Sequence, residues 1–411
     1  MKNDLDSLMQ TNDLDAIIVT GPAQHNPAMV YLAGIAHMTG DLIKKRGSTP
    51  VLFHGMMERD EAAKSGLPLK SLESYDMKEL LKQFEGDFVK ATAERYKKML
   101  TDLAITSGKI ALYGKVEVGS YFAIFKALQE AMPDITLVGE LSNKSTLMQA
   151  RLTKGDDEIS RIRQMGQITT AVVKEVADYL TSHRVRGGVL VKADDQPLTI
   201  GEVKSRIDLW LSERGADNPE GVIFSIGRDS AVPHSSGTST DWLRLGQTIV
   251  FDIYPCEKGG GYFYDFTRTW CLGFAPDEVM KLYADVFSVF NQMMSEFEVN
   301  THCPVYQRRT CELFEAQGHP TVRGTPNTER GYIHSLGHGV GLNVHEQPWF
   351  GINASEEDRL VPGAVFTVEP GLYYPEQGMG VRLEDTLYVR PDGKIEPLVE
   401  YPLDLVLPVK G

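Results

Sequence analysis

The sequence predicts a mixed α/β chain of two domains, residues 1–150 and 151–411, and three observations carry that expectation. Its 411 residues exceed the roughly 100–200 residues of a single domain. The first 150 residues alternate strand-like and helix-like runs, which is the pattern of an α/β unit. Beyond residue 218 strand-like runs dominate, and several carry acidic residues where strands favour apolar ones.

Taken in chain order, Ala16–Thr20 (AIIVT) and Pro50–His54 (PVLFH) are short apolar runs that read as strands. Lys78–Leu103 reads as a helix, Ile110–Gly114 as another strand, and a further helix is expected from Tyr121. A helix is next expected near Lys154-Gly155-Asp156-Asp157-Glu158, because clustered acids suit the positive end of a helix and Gly155 offers a break before it. The domain boundary is expected just before that helix. Arg184–Pro197 (RVRGGVLVKADDQP) interrupts the helical pattern with glycines and charges and reads as a surface insertion. From Asn218 onward strands prevail, with helices at Pro276–Glu298 and Pro304–Gln317.

The formal charge of −14 argues against nucleic acid or an anionic membrane as partner. Four cysteines, Cys256, Cys271, Cys303 and Cys311, form no CxxC pair and are expected to be reduced and structural. The opening MKNDLDSLMQTNDLD is acidic and has no apolar core, and no run is long enough to cross a bilayer. A cytoplasmic protein is the expectation.

Five residues carry the chemistry. Asp252, Asp265, Glu369 and Glu384 interrupt strand-like runs: Val250-Phe251-Asp252-Ile253, Tyr264-Asp265-Phe266-Thr267, Phe366-Thr367-Val368-Glu369 and Val381-Arg382-Leu383-Glu384. Any one of them is ordinary on the polar face of a sheet, but four with His338 form a ligand set for two divalent cations. Clustered carboxylates without cations repel, take up protons and destabilise a fold, and two divalent ions neutralise four of them. An oxygen-rich set with one imidazole suits manganese, the first expectation, or cobalt, zinc or iron, better than calcium.

The segments 252–269 (DIYPCEKGGGYFYDFTRT), 335–346 (SLGHGVGLNVHE), 367–373 (TVEPGLY) and 381–386 (VRLEDT) resemble the signature blocks of the pita-bread metallopeptidases. They are most similar to the proline-specific branch, the Xaa-Pro dipeptidases (prolidases) and aminopeptidase P enzymes. Asn26–Gly34 (NPAMVYLAG) resembles the early strand-and-turn segment of the N-terminal domain in the creatinase and prolidase group. The resemblance implies a creatinase-like α/β domain over 1–150, a pita-bread catalytic domain over 151–411, hydrolysis of Xaa-Pro bonds in small peptides, and a homodimer. One departure is visible: the two aspartates stand 13 apart here, 265 minus 252, against 11 in the family. The surplus falls in Cys256–Gly261, which reads as a lengthened hairpin tip.

The resemblance also implies roles. Asp265 and Glu384 would bridge both metals, Asp252 would bind one, and His338 with Glu369 the other. Glu369 would accept the proton of the attacking water and pass it to the leaving amine. His234, His345 and His334 match pocket histidines that hydrogen-bond the substrate carbonyl or the oxyanion. Independently of the resemblance, Arg382 shares a strand face with Glu384 and would orient that carboxylate or neutralise surplus charge, and Tyr373 matches a tyrosine near the family's metal site.

A prolyl imide offers no N–H, so an apolar pocket must replace strand-like docking. Tyr262, Tyr264, Trp349, Phe350 and Tyr373 are the candidates to line it. A dipeptidase must also read a free carboxylate. In some prolidases an arginine four residues after the histidine corresponding to His345 does so. Trp349 stands there in this chain, which leaves Arg359, Arg382 or a residue from another subunit as substitutes. Relatives acting on non-peptide or modified amino-acid substrates share the fold, as do scaffolds that lost catalysis. All five ligand positions are intact here, which argues against a scaffold.

Overall fold

The computed structural model describes residues 4–351 and 354–409 and divides the chain into two compact units: residues 1–150 with Gly259–Gly261, and the remainder. Among the described residues no helix is long and apolar enough to cross a membrane.

The first unit is built on a six-stranded mixed sheet. Its order is Leu69–Ser71, Val51–His54, Thr39–Lys45, Ala16–Pro22, Gly108–Gly114, Ile135–Val138. Alternation along Ala16–Pro22 supplies two cores, because successive side chains leave opposite faces of a strand. Ile17 and Val19 pack with Leu5, Met9 and Met29 on one face. Ala16 and Ile18 pack with Tyr96, Met99 and Leu128 on the other.

Three expectations need correction here. The single helix over 78–103 is two, Met77–Gln83 and Phe88–Asp102, because Glu85 and Gly86 turn to positive φ and Asp87 caps the second by accepting from Lys90 N. Asn26–Gly34 is not strand and turn but a helix, Pro27–Ala33. The Asn26 side chain accepts from Met29 N, proline opens it, and Gly34 closes it in the left-handed region. The helix expected from Tyr121 starts at Val118, capped by Glu117. The strand Thr39–Lys45 has no clear signal in the sequence, because Gly40, Asp41 and two lysines break its pattern. Lys44 is nevertheless buried, donating to Asp6 at 2.5 Å and to the Ser48 carbonyl.

The second unit opens with the helix Asp156–Ser182, whose Glu158 carboxylate accepts from Gly155 N at 2.7 Å. The segment read as a surface insertion is a small hairpin, Arg184–Arg186 with Val189–Val191, and the second strand is buried. The helix Ile200–Glu213 follows. A four-stranded sheet then runs in the order Val222–Ile226, Thr248–Ile253, Phe266–Leu272, Val406–Leu407. A five-stranded sheet runs Glu346–Trp349, His338–Gly339, Val365–Val368, Asp385–Val389, Ile395–Pro397, and Gly371–Tyr374 pairs with Met379–Arg382 as a ribbon. Helices Asp277–Glu296 and Pro304–Ala316 pack on a core that includes Phe290, Phe314, Phe366 and Val381. All four cysteines are free and buried in this unit.

The carboxylates stand at the ends of strands more often than within them. Only Asp252 is inside a ladder, opposite Thr267. Asp265 immediately precedes Phe266–Leu272, Glu369 immediately follows Val365–Val368, and Glu384 lies between Met379–Arg382 and Asp385–Val389. Strand ends release backbone from pairing, so side chains of adjacent strands can converge there. The surplus residues between the aspartates are not a plain hairpin tip either. Cys256–Glu257 makes its own ladder with Ala216–Asp217, and the Arg161 guanidinium holds the Glu257 carboxylate at 2.8 and 2.6 Å. The register that sets Asp252 opposite Thr267 is thereby left undisturbed.

Two glycines around His338 are dictated by close approach. A Cβ on Gly337 would stand 2.0 Å from the Thr367 carbonyl oxygen, and one on Gly339 would stand 1.9 Å from that of Gln347. Gly339→Ala is therefore expected to cost about 3 kcal/mol or more, because backbone rather than a movable side chain must yield. Chemical denaturation compared with the wild type measures it, and an unchanged midpoint would contradict the packing.

Candidate metal centre

A cleft of ≈ 810 Å³ opens in the second unit. Its lining includes all five candidate ligands, Asp252, Asp265, His338, Glu369 and Glu384, with His234, His334, His345, Trp349 and Arg382. Carboxylate or imidazole atoms of Asp265, His338 and Glu384 all lie within 4.8 Å of one another. His338 Nε2 stands 3.5 Å from Asp265 Oδ2 and 3.4 Å from Glu369 Oε1.

The proton inventory of His338 is informative. Its Nδ1 lies 3.0 Å from the carbonyl oxygen of Gly339, which can only accept, so Nδ1 carries the proton and Nε2 turns a lone pair on two carboxylates. Burial holds the imidazole down at about 3, which keeps the ring neutral. With the two carboxylates ionised, three acceptors thus face one another with no hydrogen between them. Asp252 Oδ1 and Asp265 Oδ1 are also buried without a hydrogen-bond partner. Such an arrangement is costly unless a cation joins it. A backbone carbonyl fixing the far nitrogen of a histidine is the usual support of a metal ligand. The donor set therefore fits divalent metal ions.

The acids carry the same signature. Burial, then Glu384, Asp252 and Glu369, pushes Asp265 well above the usual carboxylate range. Burial and Glu384 do the same to Glu369, and burial and Asp252 push Glu384 up to about 8. Thr267 Oγ1 donates to Glu384 Oε2 at 2.7 Å and opposes that shift.

Arg382 corrects one expectation. It does not hold Glu384: Nη2 donates to Asp252 Oδ2 at 2.7 Å, Nη1 to the Tyr373 hydroxyl at 2.7 Å, and Nε to Thr267 Oγ1 at 3.3 Å. Both side chains nevertheless reach the Thr267 hydroxyl, and the guanidinium opposes the upward shift of Glu384. Tyr373 is fully buried and is not among the residues that line the cleft. Its hydroxyl accepts from Arg382 and lies 2.9 Å from His334 Nε2, while His334 Nδ1 lies 2.8 Å from the Ser335 carbonyl. The only consistent assignment runs Arg382 to Tyr373 to His334 to Ser335. His334, brought down to about 3 by burial and by Arg382, has both nitrogens engaged and none left for a substrate.

His234 and His345 are exposed to the cleft. The His345 ring lies 4.3 Å from that of His338, and burial of its ring lowers its pKa against the opposing pull of Glu220 and Asp252. Of the five aromatics expected to line a pocket, Trp349 does so, while Tyr262, Tyr264, Phe350 and Tyr373 are buried outside the lining. Arg359 turns its guanidinium to the Asn300 carbonyl and to Glu356 and does not line the cleft.

Several residues of the centre are not among the sequence-based candidates. Thr267 and Thr269 are legible as polar residues at i+2 and i+4 from Asp265. Thr269 exchanges hydrogen bonds with the Arg382 backbone. Tyr254, Glu220, Lys204 and Asp208 also line the cleft, and no spacing in the sequence signals them.

The model of metallopeptidase family M24 matches residues 160–391, more than half of the chain. A Xaa-Pro dipeptidase of Pyrococcus horikoshii is 24% identical over 388 residues, covering 94% of this chain and 93% of that protein. A probable dipeptidase PepE of Mycobacterium tuberculosis is 30% identical over 249 residues, 61% of this chain and 59% of its own length. Among solved structures, an X-Pro aminopeptidase from Thermotoga maritima has a TM-score of 0.72 at 23% identity, covering 95% of this chain and 97% of that one. A Xaa-Pro dipeptidase from Bacillus anthracis has a TM-score of 0.74 at 21% identity, covering 98% and 97%. The fold is thus the mixed α/β pita-bread architecture over nearly the whole chain.

Proposed function

Because the chain belongs to metallopeptidase family M24, we propose that it hydrolyses the Xaa-Pro peptide bond of small peptides with the help of two divalent metal ions. The observation that carries the metal requirement is the His338 lone pair facing Asp265 and Glu369 beside two unpartnered aspartate oxygens. Asp252, Asp265, His338, Glu369 and Glu384 would hold the ions, with Asp265 and Glu384 shared between them. Manganese is the proposed metal, with cobalt, zinc and iron as alternatives. A metal pair in such a cage supplies a nucleophile from water at neutral pH and Lewis-acid polarisation of the scissile carbonyl.

The chain's own residues do the rest. Glu369, its side chain 16% exposed to the cleft, accepts the water proton and returns it to the departing proline nitrogen. His345 and His234 hydrogen-bond the substrate carbonyl and the oxyanion that forms from it. Arg382 holds Asp252 and offsets part of the negative charge. Trp349, Tyr254 and Val344 offer an apolar wall to the prolyl ring, which has no N–H to satisfy. Residues 151–411 form the proposed catalytic domain and 1–150 the N-terminal domain. A cytoplasmic homodimer, without nucleic-acid or membrane partner, completes the proposal and rests on the family resemblance and the charge of −14.

The test is to strip the protein with a chelator, reload it with manganese, cobalt or zinc, and assay Ala-Pro, Ala-Pro-Ala and Ala-Ala. The expected result is no turnover after stripping and hydrolysis of a prolyl substrate after reloading. Preference for Ala-Pro-Ala would mark an aminopeptidase P. Failure on both prolyl substrates, with bound metal measured, would end the peptidase proposal.

A further inference from the structure

The helix Ile200–Glu213 turns Lys204 and Asp208 into the cleft. They are four residues apart and so share one helical face. Asp208 is engaged, since its Oδ1 accepts from Asn218 Nδ2 at 2.9 Å. Lys204 is not: among the described residues no carboxylate pairs with it, and its Nζ donates to the carbonyl of Ser236 alone. An ammonium has three donors, so two remain free to face the cleft. Lys204 is half-buried, and burial lowers its pKa against the pull of Asp208. A half-buried ammonium that makes no direct ion pair, with Asp208 attracting it only from a distance, can still take up an anionic ligand group.

The position of this ammonium fits the peptide chemistry. Ser236 lies two residues from His234 on the segment that reaches the centre through the Pro233 carbonyl, to which Arg382 Nη1 donates at 3.5 Å. The two described cations lining the cleft are Lys204 and Arg382. Arg382 is spent on Asp252, Tyr373 and Thr267. Arg359 faces away, and Trp349 has no charge. Lys204 is thus the lining cation still able to take up a carboxylate.

We propose that Lys204 reads the free carboxylate of the prolyl residue, so that this chain is a dipeptidase selecting Xaa-Pro over longer or amidated peptides. This rests on the Xaa-Pro reading above and specifies its substrate class. A lysine reads a carboxylate as a point charge, and a charge-assisted hydrogen bond of this kind is worth roughly 10- to 100-fold in affinity.

The experiment compares kcat/KM for Ala-Pro and Ala-Pro amide in the metal-loaded wild type, Lys204→Met and Lys204→Arg. The expected wild-type ratio favours the free acid more than about tenfold. Lys204→Met should lower that ratio by roughly 10- to 100-fold, mainly through KM for Ala-Pro, and Lys204→Arg should restore most of it. A ratio unchanged within about twofold in Lys204→Met, or equal loss on both substrates, overturns the role of Lys204. A wild type inactive on every prolyl substrate overturns the Xaa-Pro reading itself, and this inference with it.

Discussion

Replacing Asp265 by asparagine is expected to lower kcat/KM on a prolyl substrate at least about a thousandfold and to remove at least one equivalent of bound metal. Asp265 is 4% exposed, one of its oxygens faces His338 at 3.5 Å, and the other has no partner. Asparagine keeps the shape but gives up the charge and one acceptor. Lewis-acid stabilisation is worth several kcal/mol, and each 1.36 kcal/mol is tenfold in rate, which gives the magnitude. Glu384→Gln should behave alike, since Glu384 is 2% exposed and held by Thr267.

Stability should move the other way. In the chelated protein either substitution removes one of four mutually repelling buried carboxylates, so the metal-free variant should melt no lower than the metal-free wild type. Kinetics, elemental analysis and a melting scan of both forms measure these effects together. Full metal content with wild-type turnover would refute the shared-ligand role.

Arg382→Met is the second large effect, and it falls on stability. The guanidinium is 3% exposed and joins Asp252, Tyr373 and Thr267. Removing one partner of a buried ion pair costs about 3–5 kcal/mol because the other charge is left uncompensated. At roughly 2–4 °C per kcal/mol for a unit of this size, the melting temperature should fall by about 6–20 °C. Loss of the Asp252 clamp should also weaken metal binding or activity by about 10–100-fold. Arg382→Lys should recover only part, because a single ammonium cannot reproduce a fork that serves three groups. A melting point within about 1 °C of wild type in Arg382→Met would show that the clamp does not matter.

The centre is legible in the amino-acid sequence because misplaced charge is costly. Carboxylates interrupting apolar strands are expensive, and the chain concentrates four of them with one histidine. Direction is what a linear pattern hides. Arg382 and Glu384, two apart, both reach the Thr267 hydroxyl, yet the guanidinium pairs directly with Asp252 on another strand and not with Glu384. Tyr373, four residues from Glu369, serves His334 and Arg382 rather than the cleft for the same reason. Lys204 and Asp208 share a helical face by their four-residue spacing, but only tertiary packing turns that face towards the cleft. In the first unit, alternation exposes the central strand Ala16–Pro22, while the charged strand Thr39–Lys45 stays hidden because Lys44 is neutralised by Asp6 from elsewhere in the fold.

The four buried cysteines give this protein a built-in clock. None lies in the first 150 residues, and all are in the second unit. Burial raises the thiols of Cys271, Cys303 and Cys311, the first to about 12, so their reactive thiolates are scarce in the closed state. A thiol-selective dye should label them only as the second unit opens. The labelling rate, followed with and without metal, would time that opening without any added probe site.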